Sequence, residues 1–93
     1  MSRVATYSFV SAPNVGDSSP VVLSAGGLVR DSLVICNNGG STLYVKLGTG
    51  ASSADFTFRL NSNAVLELDG TWQSMVTAIR ANGSGPVQVT ETA

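Results

Sequence analysis

The chain has 93 residues, with five Lys and Arg against six Asp and Glu and a formal net charge of −1. This length holds one domain, and the absence of histidine removes the commonest general base and the commonest metal ligand. Phosphate-backbone binding draws its affinity from clustered Lys and Arg, so the balanced charge argues against a nucleic-acid partner.

The first strand signal comes near the N-terminus. In residues 5–10 the side chains alternate with a period of two, which predicts a β-strand. Residues 11–20 contain two prolines and a glycine, and they predict a long loop. We therefore expect one domain over residues 1–93, with residues 1–20 as an N-terminal arm or an edge strand plus loop.

The middle of the chain contains short apolar runs separated by polar turns. Residues 21–23 predict a short strand, and the continuous apolar run 33–37 predicts a strand buried on both faces or at the centre of a sandwich. Residues 43–47 alternate, with Leu43, Val45 and Leu47 expected to face inward. Because the Asn, Gly and Ser residues between these two runs accept positive φ, the runs are predicted to form a hairpin.

Two further runs alternate strictly. In residues 56–60 the alternation directs the apolar side chains inward; these are Phe56, Phe58 and Leu60. Residues 64–68 alternate, with Glu67 between two leucines. A shift of the strand-pairing register by one residue would therefore bury a carboxylate and expose both leucines. Glu67 is therefore expected on the solvent side of its strand.

The last part of the chain predicts a terminal hairpin formed by residues 72–81 and 86–91. The whole sequence then contains about seven or eight short strands and no helical periodicity. The spacing of Cys, Trp and Cys found in disulfide-bonded immunoglobulin domains is missing. The predicted fold is an all-β, antiparallel, jelly-roll-like β-sandwich.

No group of residues predicts catalysis, and no catalytic, cofactor-binding or metal-binding residue is assigned. Cys36 cannot form an internal disulfide and is expected to be a small buried side chain, whereas Lys46 is expected to face solvent. Glu67 and Asp69 could be a glycosidase pair, but the alternation favours a solvated face. Trp72 is expected to pack in the core. We therefore predict that the protein is not an enzyme.

The N-terminal residues lack the apolar segment of a signal peptide, and no stretch reaches the 18 apolar residues that a membrane span needs. The expectation from the sequence is synthesis in a cytoplasm, with no membrane partner.

Residues 30–50, together with residues 78–81 and 87–91, resemble small virion proteins of tailed bacteriophages, in particular capsid decoration or cement proteins. The resemblance covers the chain from residue 30 onward. It rests on a strand–turn–strand pattern without catalytic residues.

The resemblance implies a β-sandwich that assembles as a homo-oligomer, often a trimer, and binds the phage major capsid protein at the capsid surface of the virion after synthesis in the host cytoplasm. Under that implication, an edge strand near the N-terminus would pair with a neighbouring sheet. The predicted partner-binding residues are Tyr7, Phe9 and Val10.

Two alternatives stay open. The same sandwich could serve in a phage tail or fibre. A carbohydrate-binding or adhesin-like module would instead present exposed aromatic side chains to a sugar, and Trp72, Tyr44 and Tyr7 are the candidates for that platform.

Overall fold

A computed structural model describes residues 8–26 and 30–93. These residues form nine β-strands: β1 (Ser8–Ser11), β2 (Asn14–Val15), β3 (Val21–Ser24), β4 (Ser32–Asn37), β5 (Leu43–Leu47), β6 (Phe58–Leu60), β7 (Val65–Asp69), β8 (Val76–Arg80) and β9 (Gly85–Thr92).

The strands form two antiparallel sheets. The five-stranded sheet has the order β1-β9-β4-β7, with β2 also paired to β9, and the four-stranded sheet has the order β3-β8-β5-β6. Apolar side chains of both sheets meet in one core, so the predicted all-β antiparallel sandwich is confirmed. The described residues hold nine strands where seven or eight were expected, and one of the nine is the two-residue β2.

The strand pairs are nested along the chain. β1 pairs with β9, β3 with β8, β4 with β7 and β5 with β6. Two further pairs, β4 with β9 and β5 with β8, join the nested pairs into the two sheets. As a result, most consecutive strands lie in opposite sheets.

Both predicted hairpins were wrong, because their strands do not pair with each other. β4 and β5 lie in different sheets, and so do β8 and β9. Each of these strands has an apolar face, and placing consecutive strands on opposite sides of the core buries both faces against each other. Among residues 37–41 none has the positive φ that the predicted turn required, which fits a connection that crosses between sheets.

The first two strands form one bent edge along the eight-residue β9. β1 pairs with residues 89–92, and β2 pairs with Pro86 and Gly85. Between them the Val87 amide donates to the Pro13 carbonyl at 3.0 Å. The loop predicted for residues 11–20 was therefore wrong at β2, because β9 is long enough to pair with it and Val15 is fully buried in the core.

The core lies between the two sheets and consists of aliphatic side chains. Its buried members are Val15, Leu23, Leu33, Ile35, Leu43, Val45, Leu60, Val76, Ala78, Val87 and Val89. Glu67 is exposed, whereas Leu66 and Leu68 pack against the core, so the predicted alternation of β7 is confirmed. Leu43 and Val45 face inward as expected, and Leu47 packs against the same cluster.

Two burial predictions were wrong. β4 alternates: Leu33 and Ile35 are buried, whereas Val34 and Cys36 are only half-buried on the outer side of the sheet. β4 is central in its sheet, as one of the two expected alternatives had it, but within residues 8–26 and 30–93 no second layer covers its outer side. Phe56 is 39% exposed because it precedes β6 and packs outside the sandwich against Tyr44, with ring centroids 5.0 Å apart and the rings tilted by 46°.

Candidate partner-binding surface

β1 is exposed along its whole length. It ends the five-stranded sheet and has one strand neighbour, β9, among the described residues. Phe9 is 65% exposed and Val10 is 61% exposed. Of the three predicted partner-binding residues, these two lie side by side on the edge strand, and Tyr7 lies outside the described residues.

The register of β1 decides where its side chains point. Val10 is opposite Thr90, which is opposite Val34, so all three lie on the outer side of the sheet. Phe9 is opposite Glu91, which is opposite Leu33, so Phe9 lies on the core side. It stays exposed there because it projects beyond the rim of the core.

The outer side of the five-stranded sheet, called the open face below, is lined by small side chains. Its members from β1, β4, β7 and β9 are Ser8, Val10, Ser32, Val34, Cys36, Val65, Glu67, Asp69, Gln88, Thr90 and Thr92. The only charged side chains in this set are Glu67 and Asp69, both on β7. Val65 is 55% exposed. The open face is therefore largely uncharged and partly apolar.

The outer side of the four-stranded sheet is different, because residues 48–57 fold back over it. Thr77 is only 4% exposed there. Its hydroxyl donates to the Gly48 carbonyl at 2.8 Å and accepts from the Ala51 amide at 3.2 Å. Lys46, predicted to face solvent, lies on this outer side and forms an ion pair with Asp55 at 2.5 Å. The chain itself therefore covers part of this side, over β5 and β8, whereas Val22 on β3 stays 47% exposed.

A buried arginine holds the loops at the start of β4. Arg30 is 3% exposed, and its guanidinium donates to the Trp72 carbonyl at 2.8 and 3.1 Å and to the Ser74 carbonyl at 2.9 Å. It also donates to the Ser24 hydroxyl at 2.7 Å, and it lies 3.5 Å from the Glu91 carboxylate. The side chain therefore ties three separate parts of the chain together.

A second buried arginine lies at the other end of β4. Arg80 is 3% exposed and donates to the Asn37 side-chain oxygen at 2.7 Å and to the carbonyls of Ser41 and Pro86 at 3.1 and 2.9 Å. Its Nε has no hydrogen-bond partner among the described residues. Burial lowers the pKa of Arg80 below its usual value, yet a guanidinium remains charged at neutral pH.

Asn37 completes this second cluster. Its side-chain nitrogen donates to the carbonyls of Ser41, Leu60 and Asn61 at 2.9, 3.0 and 3.1 Å. Neither arginine nor Asn37 was predicted as a buried polar side chain, although the period of two held a signal. Arg80 follows Val76 and Ala78 on the core side of β8, and Asn37 follows Leu33 and Ile35 on the core side of β4.

The remaining candidate residues take structural places. Trp72 packs against the core, as predicted, and its indole N–H donates to the Met75 carbonyl at 3.0 Å. Trp72 is therefore held in the sandwich and is not presented as a stacking platform. Glu67 and Asp69 lie on the outer side of an edge strand, where Asp69 accepts from the Thr71 amide at 2.9 Å. Hydrogen bonds from Thr71 lower the pKa of Asp69.

Among residues 8–26 and 30–93, no three Cys, Asp or Glu side chains come together as a possible metal site. The same residues contain no helix with the length and apolar character needed to cross a bilayer. Comparison with known protein families, with curated proteins and with solved structures found no match in any of the three.

Proposed function

We propose that this protein is a non-enzymatic structural component of a bacteriophage virion, a capsid decoration protein that binds the major capsid protein on the outside of the shell and stabilises it. The proposal rests on the resemblance of residues 30–92 to such proteins and on the surfaces of the sandwich. We also infer that the nested pairing is a jelly roll, with β1 and β2 counted as one bent strand.

The observation that carries the proposal is the difference between the two outer sides of the sandwich. Residues 48–57 cover the β5 and β8 part of one side, whereas the open face has no covering segment among the described residues. A side that offers valines, threonines and serines without a positive charge suits another protein better than it suits nucleic acid or an anionic surface. The exposed Val10 extends this surface to the sheet edge.

The buried polar side chains support a structural role for a different reason. Arg30, Arg80 and Asn37 use their hydrogen-bonding groups mainly on backbone carbonyls of their own chain. Such bonds fix the loops at both ends of the sandwich, which makes the module rigid. A rigid module loses little conformational freedom on binding.

A weak contact is sufficient for this role. Each copy that binds only the assembled shell stabilises that shell by mass action, and contacts repeated over a symmetric surface add up. The open face does not need the affinity of an isolated tight complex. This reasoning also applies to a tail tube, so the test must separate the two locations.

The experiment starts from a phage whose genome encodes this protein. The gene is deleted, and heads and tails that lack the protein are purified separately. The added protein is expected to co-sediment with heads and to raise the temperature at which they rupture. Val34→Lys places a charge at the centre of the open face and should weaken binding at least tenfold. The matched control is Val22→Lys, at a valine that is 47% exposed on the outer side of the other sheet.

Binding to tails alone would replace the capsid role by the tail or fibre role. Equal binding of heads by both variants would remove the open face as the contact. Binding of a glycan, with no affinity for either particle, would favour the carbohydrate-binding alternative.

A further inference from the structure

The four edges of the two sheets differ in how they discourage pairing with another strand. β7 carries Glu67 and Asp69, β6 has only three residues and includes Arg59, and β3 has a register shift between Val22 and Ser24. Charges, short length and irregular register are the usual protections of an edge strand. Each of these three edges therefore has at least one such protection.

β1 has none of these protections within its bounds. Its sequence is Ser8-Phe9-Val10-Ser11, with no charge, proline or glycine, and its register with β9 is regular over all four residues. All four residues are exposed. Every second residue of an antiparallel strand points its N–H and C=O away from its neighbour. The side of β1 away from β9 has no strand neighbour among the described residues, and it therefore presents backbone donors and acceptors in a regular row.

We infer that β1 pairs antiparallel with β1 of a second copy of this chain, with Phe9 opposite Phe9, so that two five-stranded sheets join into one. This inference goes beyond the proposed function and does not depend on it.

The geometry of the strand restricts how two copies can pair. A two-fold axis perpendicular to the joined sheet keeps the core sides of both copies on the same side, so a core-side residue must pair with a core-side residue. Placing Phe9 opposite Phe9 meets this condition, and it places Val10 opposite Ser8 on the outer side. The two Phe9 rings then shield each other, and no charged residue of β1 meets a like charge.

The same arrangement predicts the size and strength of the assembly. Identical edges that pair about a two-fold axis close at two copies, which differs from the trimer that the resemblance implies. With this register only residues 8–10 of each β1 face one another, because the position opposite Ser11 lies before β1 begins. Such a short paired segment is far smaller than the roughly 1,200 Å² that stable interfaces bury, so the dimer should dissociate on dilution. The two open faces would then lie side by side as one surface.

The test is sedimentation velocity of the full chain over a wide concentration range, from about 5 to about 500 µM, which covers weak dissociation constants. We expect a monomer–dimer equilibrium. Phe9→Lys should weaken the dimer at least tenfold, because two like charges would face each other. The matched control is Val65→Lys on β7, the opposite edge of the same sheet, which should leave dimerisation unchanged.

The register is tested by mixing variants. Phe9→Lys and Phe9→Glu should each be monomeric alone, and an equimolar mixture should form a heterodimer because opposite charges would then be paired across the seam. Phe9 is mostly exposed, so both variants should fold, and circular dichroism checks this. A wild-type chain that stays monomeric at the highest concentration, a trimer, or a mixture that fails to associate would each overturn the inference. If the wild-type chain dimerises but does not bind phage heads, the proposed function is wrong and the dimer inference stands.

Discussion

Arg30 and Arg80 are equally buried, each 3% exposed, but different kinds of partner hold them. At the Arg30 end of β4 the guanidinium lies near a carboxylate, that of Glu91, as well as backbone carbonyls. At the Arg80 end its acceptors in the described structure are uncharged, namely two backbone carbonyls and the amide oxygen of Asn37. One end therefore has partial charge compensation and the other depends on dipoles.

The difference shows which end depends more on geometry. A buried cation held only by dipoles needs each of them close and well aligned, because desolvation disfavours its charge and no opposite charge compensates. The loss of one acceptor at the Arg80 end should therefore affect stability more than a similar loss at the Arg30 end. Three changes test this comparison, from the largest expected effect to the smallest.

The largest effect is expected for Asn37→Ala, which removes the 2.7 Å acceptor of Arg80 and the side-chain donor to three backbone carbonyls, of which only that of Ser41 keeps a bond from Arg80. Leaving buried polar groups unpaired should lower the free energy of unfolding by about 3–5 kcal/mol, measured by urea denaturation. The matched control is Asn38→Ala, because Asn38 is the exposed next residue and should change stability by less than about 0.5 kcal/mol.

Asn37→Ser should fall between these two, because a hydroxyl can still accept from Arg80. Equal stability of Asn37→Ala and Asn38→Ala would show that the Asn37 bonds do not hold this end together.

The second change tests the space around Arg80. A Cβ at Gly39 would overlap the Arg80 guanidinium, whereas a Cβ at Gly40 would meet nothing within 4 Å. Gly39→Ala should therefore cost about 1–3 kcal/mol of unfolding free energy through overpacking. Gly40→Ala should be neutral or slightly stabilising, because it lowers the entropy of the unfolded chain. If thermal unfolding gives the same midpoint for both variants, the Arg80 guanidinium can move aside, and this end of the sandwich does not depend on its exact position.

The smallest change concerns the Arg30 end and depends on pH. Asp69 begins the turn that leads to Trp72, and its pKa in the folded protein is lowered by the Thr71 hydrogen bonds. A lowered folded pKa means that this contribution to stability is present above the unfolded pKa of about 3.9 and is lost as pH falls through the lower folded value.

Asp69→Asn should therefore flatten the dependence of the melting temperature on pH below about pH 4. It should also change the acid-induced loss of hydrogen-exchange protection at the Arg30 amide, which donates to Gln73 at 3.0 Å. An identical acid profile for the variant and the parent chain would mean that Asp69 does not control this end.

The strands were predictable from sequence because alternation is a local property. A period of two predicts that Leu43 and Val45 point inward and that Glu67 points outward. The structure confirms these directions. Pairing was not predictable in the same way. The polar link of residues 38–42 is short enough for a hairpin and equally able to cross between sheets, so the sequence near it does not distinguish the two.

The candidate surface was partly predictable. Phe9 and Val10 were chosen as apolar residues on a strand before a long loop, and the structure places both in an exposed edge strand. The open face was not predictable, because it depends on which strands become neighbours and on residues 48–57 covering the other sheet. Val34 and Cys36 belong to one apolar run, and only the sheet order shows that they lie on the side that no described segment covers.

The nested pairing has a consequence for how the chain folds as it is made. Among the described strands β1 pairs only with β9, and Ser8 lies opposite Thr92. The first described strand therefore cannot pair until the last one has been made. Contacts between residues so distant in sequence are typical of domains that fold in milliseconds to seconds. While a ribosome is still producing the later strands, the uncharged β1 is without its partner, so Phe9 and Val10 stay exposed to other chains until β9 has been made.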